Sequence, residues 1–225
     1  MTEPSRQVSY TSPRPDVFAM VPPTAMSVLD VGCSDGSLGA SLRVARDGRR
    51  VVGVEGDSAF ATQAAGRLDQ ILQADLNAFD WASAFPDERF DCVVFADVLE
   101  HLLDPRAQLA QARACLQTGG CVVVSLPNIR HVSALYSLFV RGTFPRRERG
   151  IFDKTHLRWF TIGDAREMIS DAGLEIEAVS YSLRVRDRGD GLLNKVARRA
   201  FDPIANLPPV HQFLSYQFCI RAVKR

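Results

Sequence analysis

Short valine-rich runs recur along the first half of this chain: Ser27 to Val31, Arg50 to Glu55, Gln70 to Ala74, Phe90 to Ala96 and Cys121 to Leu126, each bounded by Gly, Asp or Pro. Runs of that length and composition read as strands. CVVF and CVVVSL are apolar at successive rather than alternate positions, so both faces of those strands must be covered. Between the runs lie Ser37 to Arg46, Ser58 to Leu68 and Pro105 to Leu116, whose apolar spacing suits helices lying on a sheet. Strand and helix in alternation give a parallel sheet joined by right-handed crossovers, a doubly wound (Rossmann-like) α/β fold.

Composition narrows the class further. A chain of 225 residues is one full domain with room for an appendage. Hydrophobic residues make up 46% and charged residues 24%, a globular balance that excludes disordered and collagen-like chains. With 27 basic against 26 acidic residues there is no global field to grip nucleic acid or an anionic surface, so any polyanion contact must be local. Five cysteines, Cys33, Cys92, Cys115, Cys121 and Cys219, show no CxxC pair and cannot close into a complete internal set. The opening MTEPSRQVSYTSPRP has no apolar run, and no stretch approaches ~18 uncharged apolar residues. The expectation is a cytoplasmic protein with no membrane span.

Prolines at 4, 13, 15, 22 and 23 argue against a regular helix in residues 1–25, which read as an arm or lid before a domain spanning 26–225. After Pro127 the rhythm loosens into an amphipathic stretch, His131 to Val140, a basic loop, RGTFPRRERG, and the segment DKTHLRWFT. About residues 128–162 therefore read as a helical lid insertion. A helix from Ile162 to Ala172, a strand from Leu174 to Ser182, a helix from Leu192 to Phe201 and a final strand from Phe213 to Val223 complete the expected order.

The segment VLDVGCSDGSLG, from Val28 to Gly39, carries a strand straight into glycines and then a helix. In a doubly wound sheet this turn lies beside the ligand crevice, and glycine lets a ligand approach the backbone. The spacing GxxxGxxG departs from the GxGxxG of dinucleotide sites, where a helix N-terminus holds a pyrophosphate; that argues against NAD. Glu55 ends the second run, where a carboxylate can accept hydrogen bonds from both hydroxyls of a ribose. Asp30, Glu55, Asp75 and Asp97 thus mark four successive strand ends. A row of carboxylates suits a cationic cofactor with a ribose and an exocyclic amine.

In order, VLDVGCSDG, VVGVE, QADL, FDCVVFADVLEHLLDP and LQTGGCVVVSLPN resemble the class I S-adenosylmethionine (SAM)-dependent methyltransferases over about residues 26–182. The resemblance implies SAM as cofactor, S-adenosylhomocysteine as product, and a seven-stranded sheet whose last strand runs antiparallel. Carried over, Gly32 and Gly36 border the methionine moiety, Glu55 holds the ribose, and Asp75 with the Leu76 amide reads the adenine; Asp30, Ser34 and Asp97 complete the cofactor-binding set. The family often has glycine where this chain has Ser34, whose Cβ restricts φ.

Methyl transfer to a hydroxyl needs alignment and removal of a proton. His101, after the fourth strand at the expected start of a helix, and His156, within the insertion, are the candidate bases; His131 and His211 have only proximity to a loop. A divalent metal is the alternative: Asp97, Glu100 and His101 fall at i, i+3 and i+4, so on a helix they share one face. This DxxEH resembles the ExxEH metal site of ubiquinone-pathway and small-RNA 2′-O-methyltransferases.

PNIRH and DKTHLRWFT resemble segments of bacterial methyltransferases of the small-molecule, sugar and cell-envelope group, which implies a hydroxyl of a sugar or secondary metabolite as acceptor. Phe144, Phe152, Trp159 and Phe160 can wall an acceptor pocket or belong to the core. Arg141, Arg146, Arg147 and Arg149, with Arg184, Arg186 and Arg188, would suit an anionic group on the acceptor or form a solvated face. The rival readings are an N-directed methyltransferase, a dehydrogenase-like enzyme, and a SAM-binding scaffold without activity; nucleic acid is disfavoured by the balanced charge, and the oligomeric state stays open.

Overall fold

The valine-rich runs fold as a sheet buried on both faces. In the structure, a computed structural model, residues 14–184, 204 and 207–225 are described. Strands β1 (Ser27–Val31), β2 (Arg50–Glu55), β3 (Gln70–Gln73), β4 (Phe90–Ala96) and β5 (Leu116–Pro127) run parallel to one another. With β6 (Glu175–Leu183) and β7 (Ser215–Val223) they form a seven-stranded sheet of order β3-β2-β1-β4-β5-β7-β6. The last strand, β7, is antiparallel to both its neighbours. This is the doubly wound architecture expected from the alternation.

Helix α1 (Pro15–Phe18) precedes β1, and α2 (Ser37–Ala45), α3 (Ser58–Ala65), α4 (Trp81–Ala84) and α5 (Pro105–Ala114) connect the first five strands. Beyond β5 come α6 (Val132–Leu135), continued by a π turn at Tyr136–Val140, then α7 (Ile162–Asp171) and α8 (Pro208–Leu214). Because strand side chains alternate, Leu29, Val93, Val122 and Val124 face Leu109 of α5 and Met168 of α7. Val28, Val51, Cys92, Val94 and Val123 face the other way, onto Leu38 and Leu42 of α2 and Val17 of α1. Two apolar layers on one sheet hold the strand ends in fixed relation. Asp57, Asp80 and Asp104 cap their helices by accepting backbone N–H groups, and Thr161 with Asp164 closes a capping box.

Several boundaries differ from those read in the sequence. Pro15 starts α1 instead of preventing a helix, because the first turn needs no donor from that position. From Arg14 onward the N-terminal segment packs inward, with Val17, Met20, Val21 and Ala25 buried. Buried Arg49 fastens it there, donating to the carbonyls of Pro22, Pro23, Ala25 and Leu42. Leu116 belongs to β5 and not to the preceding helix, and Phe213 belongs to α8 and not to the last strand. The helix expected over 192–201, together with Arg186 and Arg188, lies outside the described residues. All five cysteines are buried and free. Among the described residues no helix is long and apolar enough to cross a membrane.

Gly53 shows how tightly β2 is covered. A Cβ there would stand 2.6 Å from both Cys33 Sγ and Ile71 Cδ1 and 2.8 Å from Leu68 Cδ1. Gly53→Ala is expected to cost about 1–3 kcal/mol by overpacking, seen as a lower urea midpoint at unchanged m-value; an unchanged midpoint would show that these side chains yield freely.

Candidate active site

β1 and β4 are adjacent, yet the chain winds away from them in opposite directions, so a crevice opens past their carboxyl ends. After β1 the Gly32 and Cys33 amides both donate to Val54 O, at 2.8 and 3.1 Å. Gly32, Ser34 and Gly36 then take positive φ values of 69°, 49° and 77° to turn the chain into α2. At Gly32 a Cβ would lie 2.5 Å from Val98 Cγ2, so the turn after β1 rests directly on the turn after β4. At Gly36 the missing Cβ leaves room for Ala64 and Leu68. Ser34 adopts the left-handed region despite its side chain, a cost of about 1 kcal/mol. Its hydroxyl is buried without a partner.

Glu55 is locked by the loops around it. Oε2 accepts from the Ser34 amide and Oε1 from the Asp57 amide, both at 2.8 Å. Each oxygen keeps a second lone pair for a hydroxyl donor. Asp75 stands exposed past β3, with Oδ1 accepting from the Asn77 amide, and Leu76 is buried beside it. Asp30 shares the face of Val28 and is only 1% exposed; its Oδ2 has no partner. Burial first, and then the Glu55 charge, push the Asp30 carboxyl up to about 7 against the pull of Arg14.

Asp97 sits at φ 59° immediately after β4, and its carboxylate joins three strands and the N-terminal segment. Arg14 Nη1 donates to Oδ2 at 2.6 Å, and Ser125 Oγ donates to Oδ1 at 3.0 Å. Gln217 Nε2 also donates to Oδ1. Arg14 Nη2 reaches Ser125 Oγ at 2.7 Å and Asp16 at 2.9 Å. Burial works against the guanidinium's charge, but Asp97 and Asp16 outweigh it and hold Arg14 above its ordinary value. No sequence pattern joins Arg14, Ser125 and Gln217 to Asp97. The readable signal was Ser125, a lone hydroxyl inside a run buried on both faces.

Next to this network Leu99–His101 forms a single 3₁₀ turn, and the following helix starts only at Pro105. His101 therefore does not open a helix, and Asp97, Glu100 and His101 do not share a helical face. Asp97 is turned away by its left-handed backbone, and His156 takes its place: Glu100, His101 and His156 each bring one ligand atom within 4.8 Å of the others. The segment 151–160 is held against this turn by Glu100 O, which accepts from the Leu157 and Arg158 amides at 2.9 and 3.0 Å. His101 Nδ1 lies 3.2 Å from Thr155 O and His156 Nδ1 lies 3.1 Å from Ile151 O. A carbonyl can only accept, so in each ring Nδ1 carries the hydrogen and the neutral ring's lone pair is on Nε2. The two rings stand edge to face at 4.8 Å, with His156 Nε2 3.9 Å from Glu100 Oε1.

Glu100 is fully buried and its Oε2 has no partner. Burial, followed by the Asp97 charge, raises its carboxyl well above the ordinary range. Burial, followed by His101, lowers His156 below the usual imidazole value. This cluster suits either proton transfer through neutral imidazoles or capture of a divalent ion by one carboxylate and two nitrogens.

The remaining candidates fall elsewhere. His131 is buried, accepting from the Ser133 amide at Nδ1 and meeting Arg184 O at 2.7 Å through Nε2; His211 stacks on Tyr181 at 4.6 Å. Phe160 lies in the main core, whereas Phe152 and Trp159 belong to a separate small cluster, and Phe144 meets each of them edge to face. Arg141, Arg146 and Arg149 are exposed, and Arg184 lies over the Tyr216 ring. A cavity of about 380 Å³, lined by Asn128, Arg130, Thr161, Arg166 and His211 among others, shares no residue with Glu55, Asp97 or the His101–His156 pair.

The orphaned Asp30 Oδ2 and Ser34 Oγ, beside carboxylates that outnumber the partly buried Arg14 guanidinium, fit a ligand that brings hydroxyls and positive charge. Asp30 also makes stability depend on pH. An unfolded aspartate ionises near 3.8, whereas the folded one holds its proton to about 7, so its contribution is full below pH 4 and is lost as pH rises to 7. In ligand-free protein, Asp30→Asn is expected to remove a fall of a few kcal/mol over that window. Denaturant titrations at a series of pH values check this; parallel curves for the two proteins would refute it.

The family model described as "Methyltransferase domain" matches residues 5–179. A probable S-adenosylmethionine-dependent methyltransferase of Mycolicibacterium smegmatis is 30% identical over 151 residues, covering 67% of this chain and 52% of that protein. The chain thus spans about half the length of that relative. A ubiquinone biosynthesis O-methyltransferase of Cereibacter sphaeroides is 30% identical over 187 residues, covering 77% of this chain and 73% of its own. The crystal structure of a SAM-dependent methyltransferase from Archaeoglobus fulgidus superposes with a TM-score of 0.64 at 17% identity, covering 99% of this chain and 96% of the other, a likeness of fold.

Proposed function

This chain belongs to the class I SAM-dependent methyltransferases, and from that premise we propose that it moves a methyl group from SAM to a hydroxyl oxygen of a small-molecule acceptor. The observation that carries the oxygen-directed reading is the pair of imidazoles at the end of β4, each with Nδ1 committed to a carbonyl. A hydroxyl attacks only if its proton is removed, and an imidazole is the side chain suited to that task near neutral pH. The O-methyltransferase name of the Cereibacter relative supports the same reading. A sugar or secondary-metabolite hydroxyl is the acceptor class proposed from the 128–161 segment.

SAM, when bound, supplies an electrophilic methyl carbon on a positively charged sulfur. The chain's residues supply position and proton transfer. Glu55, fixed by two amides, accepts from the ribose hydroxyls; Asp75 and the Leu76 amide recognise the adenine. Gly32, Ser34, Gly36, Asp30 and Asp97 border the amino-acid end, and Arg14 holds the Asp97 carboxylate in place there. His101, half-buried where His156 is buried, takes the acceptor proton on Nε2, while Thr155 O holds the opposite edge of its ring. His156 packs behind it and is the second candidate for the same task.

A metal-assisted reading rests on one feature, the buried Glu100 carboxylate beside two histidines, its Oε2 without a partner. With a divalent ion held by Glu100, His101 and His156, the ion would polarise the hydroxyl and lower its pKa. The two readings separate under exhaustive chelation. If the histidines act alone, turnover survives and His101→Ala lowers kcat by about 10²–10⁴ with cofactor affinity intact; loss of turnover restored by a divalent ion establishes the metal. Glu55→Ala is expected to weaken SAM binding by roughly 10- to 100-fold in calorimetry, and unchanged binding would remove Glu55 from the cofactor site.

A further inference from the structure

We propose that the helical segment Val132–Val140 and the arginine loop after it form a docking surface for an anionic lipid bilayer. The segment is one continuous stretch, α6 followed by its π turn, and its inner face is settled: Ala134 and Ser137 are buried, and His131 caps its start. Its outer face carries Val132, Tyr136, Phe139 and Val140, spaced as one side of a helix, all exposed. Phe139 is 82% exposed and Val140 69%, values that leave these side chains without a packing partner among the described residues. Phe144, 49% exposed, extends the apolar surface. It is anchored edge-on against Phe152 and Trp159, each at 4.9 Å. Large apolar side chains gathered on one helix face, instead of scattered singly, mark a binding surface.

Charge identifies the occupant. From residue 129 to residue 150 there are five arginines, Arg130, Arg141, Arg146, Arg147 and Arg149, and one acid, Glu148, whose carboxylate is paired with Lys154. Arg141, which directly follows the apolar segment, and Arg146 and Arg149, in the loop after it, are exposed. In a two-fold pair of this chain the same patch would face itself and bring these arginines against one another. Apolar side chains entering the acyl boundary while guanidinium groups stay at the headgroups is the arrangement of an interfacial helix on an anionic leaflet. The +1 net charge of the whole chain does not oppose this, since the attraction acts within about a Debye length. Ile151 O, which receives His156 Nδ1 and Trp159 Nε1, ties the aromatic base of this surface to the His101–His156 pair, so docking sets the imidazole side of the crevice close to the bilayer. The proposal depends on surface composition and not on the reaction assigned above.

The test is co-sedimentation of the full chain with phosphatidylcholine vesicles and with vesicles of phosphatidylcholine and phosphatidylglycerol in equal parts. Binding is expected to the mixed vesicles only and to weaken as salt is raised. The double variants Phe139→Ser/Val140→Ser and Arg146→Glu/Arg149→Glu are each expected to lower the partition coefficient at least roughly tenfold, with melting temperature and SAM affinity unchanged. Three results would overturn the proposal: no binding to the mixed vesicles, binding that neither variant weakens, or a lipid-independent dimer that Phe139→Ser/Val140→Ser dissolves, which would make the face a contact between copies.

Discussion

The structure depends on keeping several carboxylates in low-dielectric surroundings with one partly buried guanidinium, that of Arg14, paired to them. Asp30 and Glu100 are almost completely buried, Glu55 and Asp97 partly so, and Arg14 is the guanidinium shared by Asp97 and Asp16. A buried carboxylate without a partner does not stay charged; it takes up a proton or acquires a cation. Asp30 and Glu100, both pushed upward by burial, show the first response in the ligand-free protein. The second response is what the crevice is arranged to receive. Arg14 offsets only part of the deficit, and Asp97 already shares it with Ser125 and Gln217.

The sheet makes this electrostatic arrangement possible. Covering both faces of β1 and β4 with apolar side chains fixes their ends so firmly that the Gly32 turn touches Val98 with no space for a methyl group. The acids are thus presented by backbone that cannot retreat from them. The same rigidity reaches the 151–160 segment through the Glu100 carbonyl, which binds two of its amides. This backbone link brings His156 up to Glu100 and His101.

Much of this was legible in the sequence, and the reason is periodicity. β1, β2 and β4 begin and end where the valine runs do, because a strand covered on both faces must be apolar throughout and a turn must interrupt it. The positions of Asp30, Glu55, Asp75 and Asp97 followed from those ends. Short elements without a period were less readable: α1 and α8 are proline-initiated, and α4 is four residues held by one aspartate cap. Arg14, Ser125 and Gln217 could not be joined by any pattern, since they come from separate strands and from a segment that looked irregular. Their contact is created by the sheet.

The DxxEH motif marks the limit of reading chemistry from spacing. Residues at i, i+3 and i+4 converge only if every intervening residue is helical, and one residue with positive φ is enough to send the first side chain elsewhere. Asp97 is that residue, and its carboxylate is taken by Arg14, Ser125 and Gln217. Glu100 and His101 keep their places because the 3₁₀ turn is short and its outer carbonyl is gripped by residues 157 and 158. The vacated corner is filled from more than fifty positions away in the chain, by a histidine whose ring is set by the Ile151 carbonyl. The motif thus names two members of the cluster, while backbone conformation decides the third. Tertiary contact of the 151–160 segment, not local spacing, assembles this cluster.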